Sequence, residues 1–173
     1  MSPGMSRAER EAFLAGVHVA VLGVGTGDGG CPLLVPVWYT YRPGGDVVLH
    51  TGRTSLKATL VRAAGRATLC VQTETAPYKY VTVEGPLVAF EDCVDPEERT
   101  SMAHRYLPPD TAHAYLAATA QQLSTDVTIR LRPQRWRSAD FTSFAASFSA
   151  TPPSHESGAV PHGAPPNALD ARY

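Results

Sequence analysis

The sequence predicts a mainly β fold of the α+β class, a barrel or sandwich with helices at its periphery. Apolar, β-branched segments recur along the chain, and short turns rich in glycine and proline separate several of them. Helical segments lie between some strands, but no regular β-α-β alternation appears, which favours a barrel or sandwich. Six segments are typical of strands: residues 18–24, 32–41, 46–51, 67–73, 79–90 and 126–132.

Helices are predicted at four places: directly after Ser6, over residues 54–66, from Asp95 toward residue 106, and over residues 110–123. Ser6 and Glu9 have the spacing of a capping box, in which each side chain accepts a hydrogen bond from the other residue's amide. Asp95 is a favourable N-cap, and Pro96 suits the first helical position. Gly85 and Pro86 interrupt the fifth strand and predict a bulge or bend there.

Length and composition indicate one folded domain. The chain has 173 residues, of which 43% are hydrophobic, enough for a single core. Residues 1–142 form the predicted domain, and residues 143–173, rich in Pro, Ala and Ser, are predicted to be a disordered tail. The net charge is −1, which argues against a nucleic-acid partner. No apolar run suggests a signal peptide or membrane span, so we expect a cytoplasmic protein.

Neither the cysteines nor the histidines form a metal-binding pattern. Cys31, Cys70 and Cys93 are far apart, and we expect reduced thiols in apolar surroundings. His104 and His113 can face each other, but no third ligand has matching spacing. The sequence therefore predicts no metal site.

Residues 25–30, with the sequence GTGDGG, match the pattern of a dinucleotide-binding loop. Such a loop must open a helix, whereas Cys31 and Pro32 lead into a second strand-like segment. A hairpin turn is therefore the better interpretation.

The segment from His50 to Lys57 has the chemistry of a phosphate site. A strand end delivers hydroxyl groups and two cations to a predicted helix N-terminus, where amide hydrogens are free. Arg53 offers a planar fork and Lys57 a point charge, and Thr54 or Ser55 can cap the helix. An ordinary capped surface helix with solvated basic residues remains the alternative at this point.

Four segments in order resemble the pyridoxamine 5′-phosphate oxidase-like split-barrel superfamily, in particular its flavin- and deazaflavin-dependent oxidoreductase branch. They are AFLAGVHVAVLGVGTGDGGCPLLVPVWYTY, LHTGRTSLKATL, APYKYVTVEGPLVAF and RLRPQRWRSADF. The resemblance covers about residues 6–142. It implies a six-stranded antiparallel split β-barrel with peripheral helices, paired as a homodimer that holds its cofactors at the subunit interface.

The resemblance also implies which residues bind the cofactor. Val35, Pro36, Val37 and Trp38 correspond to the wall along the cofactor ring, and Thr51, Arg53, Ser55 and Lys57 to the phosphate-binding segment, with Thr54 between them. Pro77, Tyr78 and Tyr80, next to Lys79, correspond to a loop that approaches the cofactor, often from the partner chain. The tyrosines are alternatively packed aromatics. Arg135-Trp136-Arg137 departs from the Arg-x-His pattern of true pyridoxamine phosphate oxidases, which puts that specific activity in doubt.

The implied function is hydride transfer between a flavin-type cofactor and a small unsaturated organic substrate. Coenzyme F420 is favoured by analogy with short chains of this branch, and FMN is the alternative, because both carry a ring, a ribityl chain and a phosphate. No side chain is assigned as catalytic. Two rival hypotheses are a non-catalytic flavin- or haem-binding carrier or sensor, and a barrel with a vestigial groove.

Overall fold

The structure, a computed structural model, describes residues 4–149 as a curled half-barrel with helices around it. The strands are β1 (Ala20–Val24), β2 (Leu33–Val37), β3 (Val47–Gly52), β4 (Arg66–Gln72), β5 (Lys79–Glu91), β6 (Asp126–Leu131) and β7 (Arg135–Asp140). The helices are α1 (Arg7–Ala15), α2 (Leu56–Ala64), α3 (Pro96–Tyr106), α4 (Pro109–Ala118) and α5 (Thr142–Ser149), with a short 3₁₀ turn at Ala120–Ser124. Among the described residues, no helix has the length and apolar character needed to cross a bilayer.

Six strands follow one another in the order β2-β1-β4-β5-β6-β3, and every neighbouring pair is antiparallel. They correspond to the six predicted strands, so the split-barrel prediction is confirmed. The long strand β5 pairs with β4 along one edge. Its other edge is shared: β7 pairs with residues 79–84 and β6 with residues 87–91. The register of β5 against β6 shifts between Leu87 and Ala89, next to the predicted bend.

Alternating strand residues fill the barrel interior. Leu22, Leu49, Leu69, Val81 and Ile129 are buried together from five different strands, and the full core also includes residues of α1 and α2. Tyr39 is fully buried, and its hydroxyl donates to the carbonyl oxygen of Leu14 at 2.7 Å. Because burial disfavours the phenolate, the pKa of Tyr39 is raised. This hydrogen bond fastens α1 to the barrel.

Local signals place most helix ends correctly. The capping box of Ser6 and Glu9 is present, and Asp95 accepts from the amides of Glu97 and Glu98 at the start of α3. Ser55, not Thr54, caps α2. Gly65 ends α2 at φ +64°, a left-handed conformation that favours glycine.

Several predicted boundaries change in the structure. The second strand ends at Val37 rather than at residue 41, and Thr40 forms only an isolated bridge with Val48. The helix predicted over 110–123 ends at Ala118 and continues as the 3₁₀ turn. Residues 143–149 of the predicted disordered tail lie in α5, and residues 150–173 lie outside the described part of the chain.

The cysteine surroundings also differ from the prediction. Cys31 and Cys93 are exposed, and only Cys70 is partly buried. All three are free thiols. Cys31 lies in the loop between β1 and β2, which form the hairpin predicted from residues 25–30.

Candidate cofactor site

A groove of about 450 Å³ opens where β2, β3, α2 and α4 come together. Its lining residues are Val19, Pro36, Val37, Trp38, His50, Thr51, Lys57 and Tyr115. The volume lies within the range of about 300–1,000 Å³ that is usual for small-molecule sites. One end of this groove is apolar and aromatic, and polar groups from β3 and α2 contribute the remainder.

The aromatic part of the wall is held rigidly. The Trp38 indole stacks on the ring of Tyr106 with centroids 5.0 Å apart and planes 3° from parallel. The Tyr106 hydroxyl accepts from the Tyr39 amide at 3.1 Å and lies 2.9 Å from the carbonyl oxygen of His18. Because these bonds fix Tyr106, they also fix Trp38. The wall therefore offers a preformed apolar surface to a flat ring.

The polar part of the groove has the elements of an anion cradle. Thr51 is the next-to-last residue of β3, and its hydroxyl lies 3.2 Å from that of Ser55, which accepts from the Ala58 amide at 3.3 Å. The amides of Leu56 and Lys57, in the first turn of α2, have no acceptor within the helix. The positive end of the helix dipole adds to their attraction for an anion.

Lys57 is the unpaired cation of this cradle. It lines the groove, and within residues 4–149 no carboxylate forms an ion pair with it. Most other cations near the barrel are neutralised, as Lys79 is by Asp140 at 2.7 Å. Helix α2, which carries Lys57, is anchored because Ala58 and Val61 are buried in the core. An unneutralised ammonium group in the first turn of a helix suits a phosphate.

The Pyridoxamine 5′-phosphate oxidase family model matches residues 6–137 of the chain. This match covers the barrel and both parts of the groove. The chain belongs to the pyridoxamine 5′-phosphate oxidase family. No curated protein matches the sequence.

Solved structures with the fold of this family are similar over most of the chain. An F420 reductase has a TM-score of 0.59 and 18% identity, covering 73% of this chain and 94% of its own. A conserved hypothetical protein from Mycobacterium tuberculosis has a TM-score of 0.64 and 23% identity, covering 91% and 96%. A FAD-binding protein from Mesorhizobium loti has a TM-score of 0.52 and 21% identity, covering 78% and 94%. At these identities the likeness establishes the fold.

Within this family member, the structure brings five of the predicted site residues together at the groove: Pro36, Val37, Trp38, Thr51 and Lys57. Ser55 lies beside them through its contact with Thr51. Their role in binding a cofactor stays a prediction, but their convergence from β2, β3 and α2 is the geometry such a role requires.

Three predicted residues lie elsewhere. Val35 does not line the groove, because its half-buried side chain packs against the core. Arg53 turns away to Asp92, donating to its carbonyl oxygen at 2.7 Å and lying 3.6 Å from its carboxylate. Thr54 is exposed and does not cap α2. The distant acidic partner Asp92 accounts for the position of Arg53.

The tyrosine loop also lies apart from the groove lining of the same chain. Pro77 follows a cis peptide bond, and Tyr78 and Tyr80 are exposed at the start of β5. The Tyr78 carbonyl accepts from the Phe141 amide at 3.0 Å. Whether these residues serve a groove of a partner subunit stays a prediction.

The sequence interpretation assigned no role to Val19, His50 or Tyr115, which also line the groove. In the sequence, His50 is the first residue of the phosphate segment and directly precedes Thr51. Tyr115 comes from α4, and no local pattern links it to β3. Burial lowers the pKa of His50 below its usual value of 6.5, so the imidazole is neutral at pH 7.

The two histidines expected to face each other do so, with ring centroids of His104 and His113 5.2 Å apart. No group of three or more potential metal ligands occurs in the part of the chain that the structure describes. The pair therefore packs α3 against α4 without a third ligand nearby.

Proposed function

We propose that this protein is a flavin-dependent oxidoreductase that transfers a hydride between its cofactor and a small unsaturated organic substrate. The observation that carries the proposal is the pairing, in one groove, of a rigid apolar wall with the unpaired Lys57 at the N-terminus of α2. A flavin-type cofactor has a flat ring at one end and a phosphate toward the other. The apolar wall suits the ring, and Lys57 at the helix N-terminus suits the phosphate. Family membership supports the same assignment.

Coenzyme F420 is the favoured cofactor, and FMN is the alternative. Both present a phosphate to the cradle of Thr51, Ser55 and Lys57, so the cradle suits either. The F420 reductase among the structural relatives supports the first, and the FAD-binding protein supports a flavin more generally. When bound, either cofactor supplies hydride transfer at its ring.

The residues of this chain would position the cofactor and keep its ring dry. Pro36, Val37 and Trp38 would cover one face of the ring, and the stacking of Trp38 on Tyr106 would keep that wall in place when a ligand enters. Lys57 and the first-turn amides of α2 would hold the phosphate, which fixes the ring at a constant distance from the cradle. Such preorganisation is how a protein assists hydride transfer without a nucleophile of its own.

Turnover separates this proposal from a non-catalytic carrier or sensor. The protein should accelerate oxidation of reduced F420 or reduced FMN by a panel of small enones and quinones, measured by stopped-flow absorbance. The rate should saturate with acceptor concentration, as expected for a bound substrate. Tight cofactor binding with rates equal to those of free cofactor would instead support a carrier.

We further propose that the protein is a homodimer and that the partner subunit completes the groove. The outer face of β1 and β2, with Val19 just before β1, is apolar: Leu34 is 64% exposed, and Val19 and Val21 are 55% and 40% exposed. Val19 and Pro36 belong both to this face and to the groove. An apolar face of this kind at a sheet edge is typical of an interface. A second copy is the simplest occupant because it would close the groove on its open side.

Leu34→Asp should shift the protein to a monomer at micromolar concentration and weaken cofactor binding. A carboxylate at the centre of an apolar interface loses hydration without gaining a partner. Sedimentation velocity measures the first effect, and a cofactor titration the second. Val88→Asp is the matched control, because Val88 is an exposed apolar residue of β5, outside the β1–β2 face. A wild-type protein that sediments as a monomer would refute this proposal.

A further inference from the structure

A second, smaller cavity of about 60 Å³ lies behind the groove and shares Trp38, His50 and Tyr115 with it. Its other lining residues are Arg99, Met102, Ala103 and Asp126. The volume is roughly four to six times the ~10–15 Å³ that a water-sized sphere requires. The cavity therefore has room for a group of a few heavy atoms whose remainder lies in the groove.

His50, whose side chain lines this cavity, carries a hydrogen-bond acceptor that no described residue uses. The Thr128 hydroxyl lies 2.9 Å from the carbonyl oxygen of Cys93 and 3.2 Å from Nδ1 of His50. A carbonyl oxygen only accepts, so the single hydroxyl proton goes to Cys93, and Thr128 accepts from the Nδ1–H of His50. The neutral imidazole then carries no proton on Nε2. That nitrogen is buried and has no partner among the described residues.

Arg99, which also lines the cavity, carries a donor that no described residue uses. Its guanidinium donates to Asp126 at 3.1 Å and to the carbonyl oxygen of Thr119 at 2.8 Å, yet its Nε–H is buried without an acceptor in residues 4–149. Only 7% of Arg99 is exposed. Because Asp126 balances its charge, the cavity has no net charge from this pair. Buried polar groups without partners are rare and call for an explanation.

We propose that this cavity binds a small neutral group of the substrate that combines an N–H or O–H donor with a carbonyl oxygen, as a primary carboxamide does. The donor would meet Nε2 of His50 and the carbonyl oxygen the Nε–H of Arg99. A carboxylate is disfavoured for two reasons. It has no proton to donate to Nε2 of His50, and its negative charge would be repelled by the carboxylate of Asp126, which lines the cavity. This inference rests on the proposed function, which makes the adjoining groove the place of reaction.

Three probes of nearly equal shape test the proposal: benzamide, acetophenone, which lacks the N–H donor, and benzoate, which lacks it and is charged. Binding to the full chain without cofactor is measured by NMR, using the imidazole ¹⁵N resonances of His50. We expect benzamide to bind about tenfold more tightly than either analogue, because both leave the buried acceptor unpaired. Nε2 should be the unprotonated nitrogen and should shift on benzamide binding.

His50→Leu should abolish the preference for benzamide over acetophenone, and His50→Gln, which keeps an acceptor oxygen, should retain part of it. Thr128→Val removes the oxygen that accepts from the Nδ1–H of His50, so either ring nitrogen can then carry the proton. The preference for benzamide should therefore weaken. Equal binding of the three probes, binding of none of them, or a proton on Nε2 in the wild-type spectrum would overturn the proposal. Lys57→Gln should leave the preference intact, so a failure of cofactor binding alone would refute the proposed function and not this inference.

Discussion

Gly85→Ala is expected to destabilise the protein by about 4 kcal/mol or more, which places it among the exceptional single substitutions. A Cβ atom at this position would lie 1.7 Å from the carbonyl oxygen of Arg132 and 2.7 Å from its carbonyl carbon. The obstruction is backbone, so no side-chain rotation relieves it.

The chain crossing over Gly85 also has little freedom to move away. The Arg132 amide donates to Pro86 at 3.0 Å, and the Gln134 amide donates to Glu84 at 2.9 Å. These bonds fasten the link between β6 and β7 to β5 on both sides of the glycine. Making room for one methyl group would therefore break both, and a domain stable by ~5–15 kcal/mol would lose a large share of that.

Urea denaturation followed by circular dichroism measures this effect. Gly25→Ala is the matched control, because a Cβ atom there meets nothing within 4 Å, and it should change the free energy of unfolding by less than about 0.5 kcal/mol. If the Gly85→Ala variant proved as stable as the control, residues 132–134 could not lie as close to Gly85 as described above.

Lys57→Gln should raise the dissociation constants for F420 and FMN by about 10- to 100-fold. Hydrogen bonds to charged groups contribute ~1.5–3 kcal/mol, which corresponds to this range. The glutamine keeps much of the side-chain length and helix propensity, so the loss reports the charge. Fluorescence titration at fixed ionic strength measures it.

Two other substitutions make this prediction specific. Arg62→Gln, in the last turn of the same helix, should leave both dissociation constants nearly unchanged, because Arg62 lies over the ring of Phe90. Arg53→Gln should have a smaller effect than Lys57→Gln, because Arg53 is engaged by Asp92. If Arg53 proved the more important of the two, the assignment of Lys57 as the phosphate-binding cation would be incorrect.

Local sequence signals were sufficient for much of the fold. Capping depends on residues two or three apart, so the box of Ser6 and Glu9 and the cap at Asp95 were predictable. Alternation marked the strand over residues 126–132, which is β6. Strand β7 lacked such a signal, because the RWRSAD sequence is mostly polar and only Ala139 on it is buried.

The candidate site was predictable only where it is contiguous in sequence. Thr51, Ser55 and Lys57 lie within one strand-to-helix turn, so their association follows from local structure. Arg53 belongs to the same turn, but its partner lies 39 residues away at Asp92. The inner cavity is lined by residues of β3, α3, α4 and β6. No local sequence pattern predicts that His50 and Arg99 line the same cavity.

The most direct test of the central claim is a titration of the full-length protein with F420, FMN and riboflavin, which has the flavin ring without the phosphate. If the groove binds ring and phosphate together, F420 or FMN should bind with a micromolar or tighter dissociation constant, and riboflavin about tenfold or more weakly than FMN wherever FMN binds. Binding of neither phosphate-bearing cofactor, or equal binding of riboflavin and FMN, would contradict the account.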